Sequence, residues 1–289
     1  MRREIVNGIL DVMNRIHDLP GATATGAAGT ASPHQFSYLH LSIEGAVAKL
    51  RLNRPGKRNA VNKEMILEIG AFFASPPPGV KAVILHAQGD HFCAGLDLTQ
   101  VLTATDPLGA IEESRLWHRV LQDVQYGGLP VIALMHGAVL GGGLEIATAA
   151  HIRVAEENAF FGLPEAQRGV FVGGGAAVRV GRIIGSGRMT EMMLTGRTYS
   201  AQEALALGLA HHVMPAGKGM AKAEALAISV AGNAPLTTYL AIQVLPRIET
   251  MGNEEGFMTE ALAAALPRFS ADSSTGVSAF LSKQTHRFD

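Results

Sequence analysis

Residues 129–150 form a 22-residue run that is almost wholly apolar, and what interrupts it limits how the chain can fold. Pro130, His136, Glu145 and four glycines lie inside it. A bilayer would leave those polar groups and the broken backbone pattern unsatisfied, so the run reads as buried segments of a globular core. Glu145 then carries a charge where charge is costly, and burial pushes a carboxyl upward toward the pKa range useful for acid/base work. A second glutamate, Glu165, closes a similar segment, Phe161-Gly162-Leu163-Pro164-Glu165. Two such carboxyls in one pocket can hold a water and pass its protons.

The rest of the pattern is that of an α/β protein. Segments 80–86, 131–135 and 152–155 read as buried strands with helical patterns between or after them. Leu39/Leu41/Ile43 and Ala48/Leu50/Leu52 alternate on either side of Glu44-Gly45, which predicts a hairpin with one buried face. From Asn62, the spacing of Met65, Ile66, Ile69, Phe72 and Phe73 predicts a helix that Pro76-Pro77-Pro78-Gly79 ends. Leu116, Trp117, Val120, Leu121 and Val124 form another helical stripe, read as core, with the helix of Trp117 also able to line a pocket. Ser200-Ala201-Gln202-Glu203 is a capping box, and Gly208 can close the helix it opens. Beyond residue 216 strand signals stop and the pattern is helical. Three segments follow: a leader and linker over 1–35, a core over 36–216, and a helical region over 217–289. In the leader, residues 4–17 predict a short helix and 21–32 have linker composition.

Composition narrows the function. With 47% hydrophobic and 17% charged residues over 289 positions, the chain is too apolar to be disordered and long enough for one large core. A formal net charge of -1, without a long basic run, argues against nucleic acid as a partner. The one cysteine, Cys93, permits no internal disulfide and reads as a small packed hydrophobe, which fits a reducing cytosol. His91, His136, His151, His211 and His212 show no metal-ligand spacing, so no metal is expected. Met1-Arg2-Arg3 is followed by Glu4 and no unbroken apolar stretch, so no signal peptide is read.

Four segments carry a resemblance. Leu52-Asn53-Arg54-Pro55-Gly56-Lys57-Arg58-Asn59-Ala60, His91-Phe92-Cys93-Ala94-Gly95-Leu96-Asp97-Leu98, Gly141-Gly142-Gly143-Leu144-Glu145 and the segment ending at Glu165 occur in an order and spacing similar to the enoyl-CoA hydratase (crotonase) superfamily. It implies a spiral core of ββα units, a C-terminal helical region used in trimer assembly, and acyl-CoA thioester substrates. The triple glycine alone would read as a tight turn or close helix packing, and neither it nor Gly173-Gly174-Gly175 completes a dinucleotide fingerprint.

What the resemblance implies for the site is specific. The backbone N–H groups of Leu96 and Gly142 would form an oxyanion hole, worth about 3–4 kcal/mol per donor to an enolate-like thioester. Glu145 would act as the base toward water and Glu165 as the proton donor to C2. Isomerases of the superfamily commonly keep only the second glutamate, and diene isomerases or hydroxyacyl hydrolases tend to carry an aspartate where Gly173 stands. The pattern therefore favours hydration, with another acyl-CoA reaction (isomerase, lyase or thioester hydrolase) or a noncatalytic scaffold or RNA binder as alternatives. Arg58, Ala60, Ala94, Asp97, Leu98, Gly141, Pro164 and Gly173 correspond to CoA- or substrate-binding positions, and Phe280 and Lys283 to C-terminal residues approaching CoA. No cofactor beyond the substrate's own CoA is implied, and a homotrimer or dimer of trimers in the cytoplasm is expected. Val172, Thr275 and Gln284 depart from the usual proline, glutamate and arginine. For either glutamate the bland reading is a carboxylate satisfied by a helix N-terminus or by an arginine such as Arg168.

Overall fold

The computed structural model describes residues 36–101 and 106–288, and the leader lies outside them. Strands β1 (Leu39–Glu44) and β2 (Val47–Leu52) form the expected hairpin, with Leu39 opposite Leu52 and Glu44 opposite Val47. Gly45, at φ +58°, makes the turn in a region that side chains rarely adopt. Leu39, Leu50 and Leu52 face the core, but Ile43, near the end of the edge strand β1, is 43% exposed among the described residues. Helix α1 (Lys63–Ala74) begins where the pattern placed it: the Asn62 side chain accepts from the Met65 N–H, and all five named apolar residues are buried.

β3 (Ala82–Ala87) follows, then the one-turn helix α2 (Leu98–Val101) and the long helix α3 (Pro107–Tyr126). The run over 129–150 resolves into β4 (Val131–Met135), a break at Gly137 (φ +54°), β5 (Ala138–Leu140) and α4 (Gly142–Ala149). Next come β6 (Ile152–Glu156), β7 (Phe160–Gly162), α5 (Ala176–Ile184) and α6 (Ser186–Thr195). β8 (Tyr199–Ser200), α7 (Ala201–Leu207) and β9 (His212–Met214) complete the strand-bearing part, with the Ser200–Glu203 capping box formed and Gly208 at φ +80°. Four helices remain: α8 (Gly219–Ala231), α9 (Pro235–Ile248), α10 (Asn253–Ala265) and α11 (Ala271–Leu281).

Two sheets share this chain. The larger has the order β1-β2-β3-β4-β6-β9 and is parallel from β2 onward; the smaller has the order β5-β7-β8. β4 and β6 each send their continuation, β5 and β7, into the smaller sheet, and Cys93 after β3 bridges to Val139 of β5. The turns β4–β5–α4 and β6–β7–α5 thus each lay one strand in each sheet and then a helix, the repeat of a spiral of ββα units. Parallel strands are buried on both faces. Val83, Leu85, Val131, Ala133 and Met135 join the main core under α1, α3 and α4, whereas Ala82, Ile84, Ile132, Leu134 and Val154 pack under Ala223 and Ala227 of α8.

One loop shows how the first sheet edge is tied to the site. Asn59 is fully buried at φ +54°; its Nδ2 donates to Gln88 O and His91 O, and its Oδ1 accepts from Arg54 N–H. This locks the 54–60 loop onto the segment after β3, where Val61 N–H donates to Gly95 O and Asp97 N–H to Val61 O. Asn59→Ala strands buried polar groups, and is expected to lower the unfolding free energy by about 2–4 kcal/mol in urea titration. A loss under about 0.5 kcal/mol would contradict that role.

Candidate active site

Glu145 stands in the first turn of α4, a helix whose every residue is buried, and is itself 4% exposed. A carboxylate there must be paired. Its Oε1 accepts from Gly174 N–H at 2.8 Å and Ala176 N–H at 3.0 Å, the amides that open α5. Burial pushes its pKa up, opposed by these amides and by the nearby Arg179 guanidinium. The helix-N-terminus reading is therefore correct for one oxygen of Glu145, and it coexists with a place on a cavity wall.

That cavity has a volume of about 280 Å³ and is walled by both glutamates. Glu165 opens a 3₁₀ turn (Glu165–Arg168) directly after Pro164. Burial, with the Glu145 charge as a lesser cause, raises its pKa to about 7, while Arg168 acts in the opposite sense. Among the described residues its Oε2 is buried with no hydrogen-bond partner, so one oxygen of an acid is left to whatever enters the cavity. Arg168 does not neutralise either glutamate by direct contact, since its Nη1 donates to Pro164 O.

Backbone donors meet the same space. Gly95, Leu96, Gly141 and Gly142 all line the cavity. The bridge to Val61 uses Gly95 O and Asp97 N–H, so the intervening Leu96 N–H turns the other way. Gly142 is the first residue of α4, where N–H groups have no intrahelical acceptor. The glycines at 141–143 are there for space. A Cβ on Gly141 would lie 2.7 Å from Glu165 Oε1, on Gly142 3.0 Å from the Trp117 ring, and on Gly143 2.5 Å from Cys93 O. Gly141 also adopts φ +49°, ψ -122°, which L side chains avoid. Donors, acids and close packing are thus parts of one construction, with the positive end of α4 turned toward it.

The other residues singled out in the sequence divide. Ala94, Leu98, Gly141, Pro164 and Gly173 line the cavity with the four central groups. Arg58, Ala60, Asp97, Phe280 and Lys283 are not in its walls. Asp97 spends its carboxylate internally: Oδ2 accepts from Arg54 Nη1 at 2.6 Å and Oδ1 from Thr99, which holds its pKa down to about 2. Ala60 O accepts from the same Arg54 guanidinium, and Arg58 is exposed in the left-handed region at φ +51°. Phe280 is 81% exposed on α11, and Lys283 lies just past its end. Cys93 is wholly buried with its thiol pushed up to about 12, the behaviour of a packed hydrophobe and not of a nucleophile.

The sequence named the helix of Trp117 as able to line a pocket but not the residues that face it. Ala110, Glu113, Ser114 and Trp117 of α3 line the cavity together with Val170, Phe171 and Val172. Their i, i+3, i+4, i+7 spacing is a second stripe on the helix whose first stripe, Trp117, Val120, Leu121 and Val124, faces the core. Among the described residues, no group of three or more His, Cys, Asp or Glu side chains could hold a metal ion.

Comparison with known proteins gives the family and the fold. Residues 42–289 match the family model described as enoyl-CoA hydratase/isomerase. A Thermus thermophilus protein provisionally named an enoyl-CoA hydratase is 37% identical over 254 residues, covering 85% of this chain and 98% of its own. The 2,3-dehydroadipyl-CoA hydratase of Escherichia coli is 32% identical over 256 residues, covering 87% and 98%. A crystal structure from Rhodopseudomonas palustris, whose protein is provisionally named an enoyl-CoA hydratase, superposes with a TM-score of 0.83 at 44% identity, over 89% of this chain and 98% of the other. With the ββα spiral in place and the match spanning nearly all the described residues, the chain has the crotonase fold and belongs to the enoyl-CoA hydratase/isomerase family.

Proposed function

We propose that the chain hydrates the 2,3-double bond of a trans-2-enoyl-CoA thioester by syn addition. The observation that carries this reading is that Glu145, Glu165, Leu96 and Gly142 all line one cavity. The thioester oxygen sits between the two amides, which stabilise the charge that develops there as C3 is attacked. Glu145, held on one oxygen by the α5 amides, accepts a proton from water as the oxygen adds to C3. Glu165, which keeps its proton near neutrality, delivers it to C2. The two carboxyls share one cavity and the Glu145 charge helps to raise Glu165, so one proton held between them is the working state. The relatives' names, which include hydratases and a carnitinyl-CoA dehydratase, support hydration over other acyl-CoA chemistry. No cofactor is needed beyond the CoA that the substrate carries. A panel of acyl-CoAs, read by loss of enoyl absorbance against release of free thiol, separates hydration from isomerisation, lysis and thioester hydrolysis.

Assembly belongs to the same proposal. Leu245, Phe257, Met258, Leu262, Phe269 and Phe280, on α9 to α11 and the turn between the last two, are 61–81% exposed. So much apolar surface on one region is unusual for a monomer. We infer that these helices pack against other copies, giving a trimer or a pair of trimers, and that the assembled enzyme works in the cytoplasm. Among the described residues no single helix is long and apolar enough to cross a membrane.

Three outcomes test these readings. Glu145→Gln and Glu165→Gln should each lower kcat for crotonyl-CoA hydration about 10²-fold to 10⁴-fold while thioester binding, measured calorimetrically, survives. Turnover unchanged in either variant removes the mechanism. For the wild type, hydration kcat/KM should fall as pH rises through about 7, because Glu165, raised above its ordinary value, then loses the proton it donates. A rate that climbs steadily from pH 6 to 9 assigns the donor elsewhere. By light scattering the wild type should be trimeric or hexameric, and Phe257→Glu with Leu262→Glu should release smaller species; a monomeric wild type overturns the assembly.

A further inference from the structure

The loop that holds Glu145 is itself held, and by a charge. Gly173, Gly174 and Gly175 run between the Glu165 turn and α5, and Gly174 has no room for a side chain: a Cβ would meet Glu145 Oε2 at 2.6 Å and the Trp117 ring at 2.8 Å. Backbone so bare of side chains has little stiffness of its own. Its carbonyls are fixed from outside. Ser114 Oγ donates to Gly173 O at 2.6 Å from α3. Arg179, one turn into α5, folds back so that Nη1 donates to Gly174 O at 3.1 Å, while its Nε donates to Gln125 Oε1 of α3 at 2.8 Å. The same peptide unit of α5's entrance that receives Arg179 neighbours the N–H groups that grip Glu145 Oε1.

Two properties of Arg179 go beyond fastening. Among the described residues its hydrogen bonds go to the neutral oxygens of Gln125 and Gly174, and none of these partners is a carboxylate that cancels its charge. It is also largely withdrawn from water, where a full charge acts over several ångström with less screening. Several described groups lie near Arg179 and Glu145. Glu165 and Arg168 approach from the turn after β7, Glu113 from the α3 wall, and His118 and Tyr126 lie on the α3 side near Arg179. Among the described cations, Arg179 acts on Glu145 and Arg168 on Glu165.

We propose that Arg179, seated by Gln125, is a positioning residue for the reaction: it orders the Gly174 peptide that aims Glu145 and supplies the counter-charge that keeps Glu145 ionised beside a protonated Glu165. The arrangement divides two chemically identical acids into a base and an acid by giving each its own environment. This rests on the hydratase reading for its kinetic consequence, but its electrostatic content does not.

The experiment has two arms. In the first, kcat/KM for crotonyl-CoA hydration is measured from pH 5 to 9 for wild type, Arg179→Gln and Arg179→Lys. Arg179→Gln should move the acid limb upward by about one pH unit, so that the loss is about tenfold below the limb and small above it, while Arg179→Lys moves it less than half as far. In the second, the carboxyl stretch of Glu145 is titrated by infrared difference spectroscopy without substrate, the band being assigned by its loss in Glu145→Gln and its retention in Glu165→Gln. The same upward displacement is expected in Arg179→Gln. Should Arg179→Gln fail to fold, Gln125→Glu, which gives the guanidinium a carboxylate of its own, is read instead and should displace the band in the same direction. A uniform fall in rate with an unmoved limb, or an unmoved Glu145 band, overturns the proposal. A wild type that does not hydrate crotonyl-CoA or longer enoyl-CoAs while the band moves as expected sinks the hydratase reading and leaves the role of Arg179 standing.

Discussion

An ionisable side chain in the first turn of a wholly buried helix is the constraint around which this chain is organised. Glu145 cannot reach bulk water, so its charge is tolerable only where fixed donors meet it. The amides of Gly174 and Ala176 are those donors, and bringing them within 3 Å requires α5 to point its N-terminus at α4. That crossing in turn demands glycine at 174, where any Cβ would strike the carboxylate or Trp117. One electrostatic requirement thus fixes the relation of two helices and the composition of the loop between them.

Glycine at 141–143 illustrates how packing and chemistry can call for the same residue. Read as structure, the triplet lets α4 start against Trp117, Cys93 and the Glu165 side chain at distances no Cβ would allow. Read as chemistry, it brings a helix-opening N–H to a cavity wall. The two readings do not compete, because the close approach is what puts the donor there. The same holds for Glu145, whose pairing with a helix N-terminus accounts for one oxygen.

Much of the fold was legible because its elements are long enough to show a period. The Asn62 cap, the α1 stripe, the capping box at Ser200 and strand β4 all appear where the pattern puts them. β5, β7, β8 and β9 left no sequence signal, since strands of two or three residues are shorter than any window in which alternation can be seen, and without them the second sheet is invisible. In the site, the acids and donor segments could be read because motif order survives in the chain. The pairing of Asp97 could not, since its partner Arg54 lies in a different loop; the helix of Trp117 could be named as a wall but its facing residues could not, because a cavity-facing stripe and a solvent-facing one look alike until the rest of the cavity is known. Arg179 meets Gln125 and comes near Glu145 only in three dimensions.

The large sheet separates two hydrophobic clusters, one backing the cavity and one beneath α8. Side chains such as Ile84, Ile132 and Ala227 can therefore be repacked on a layer that shares no atoms with the acids or their donors. Robustness and reactivity are thus lodged in different layers, and a volume change beneath α8 reaches the acids only through the sheet itself.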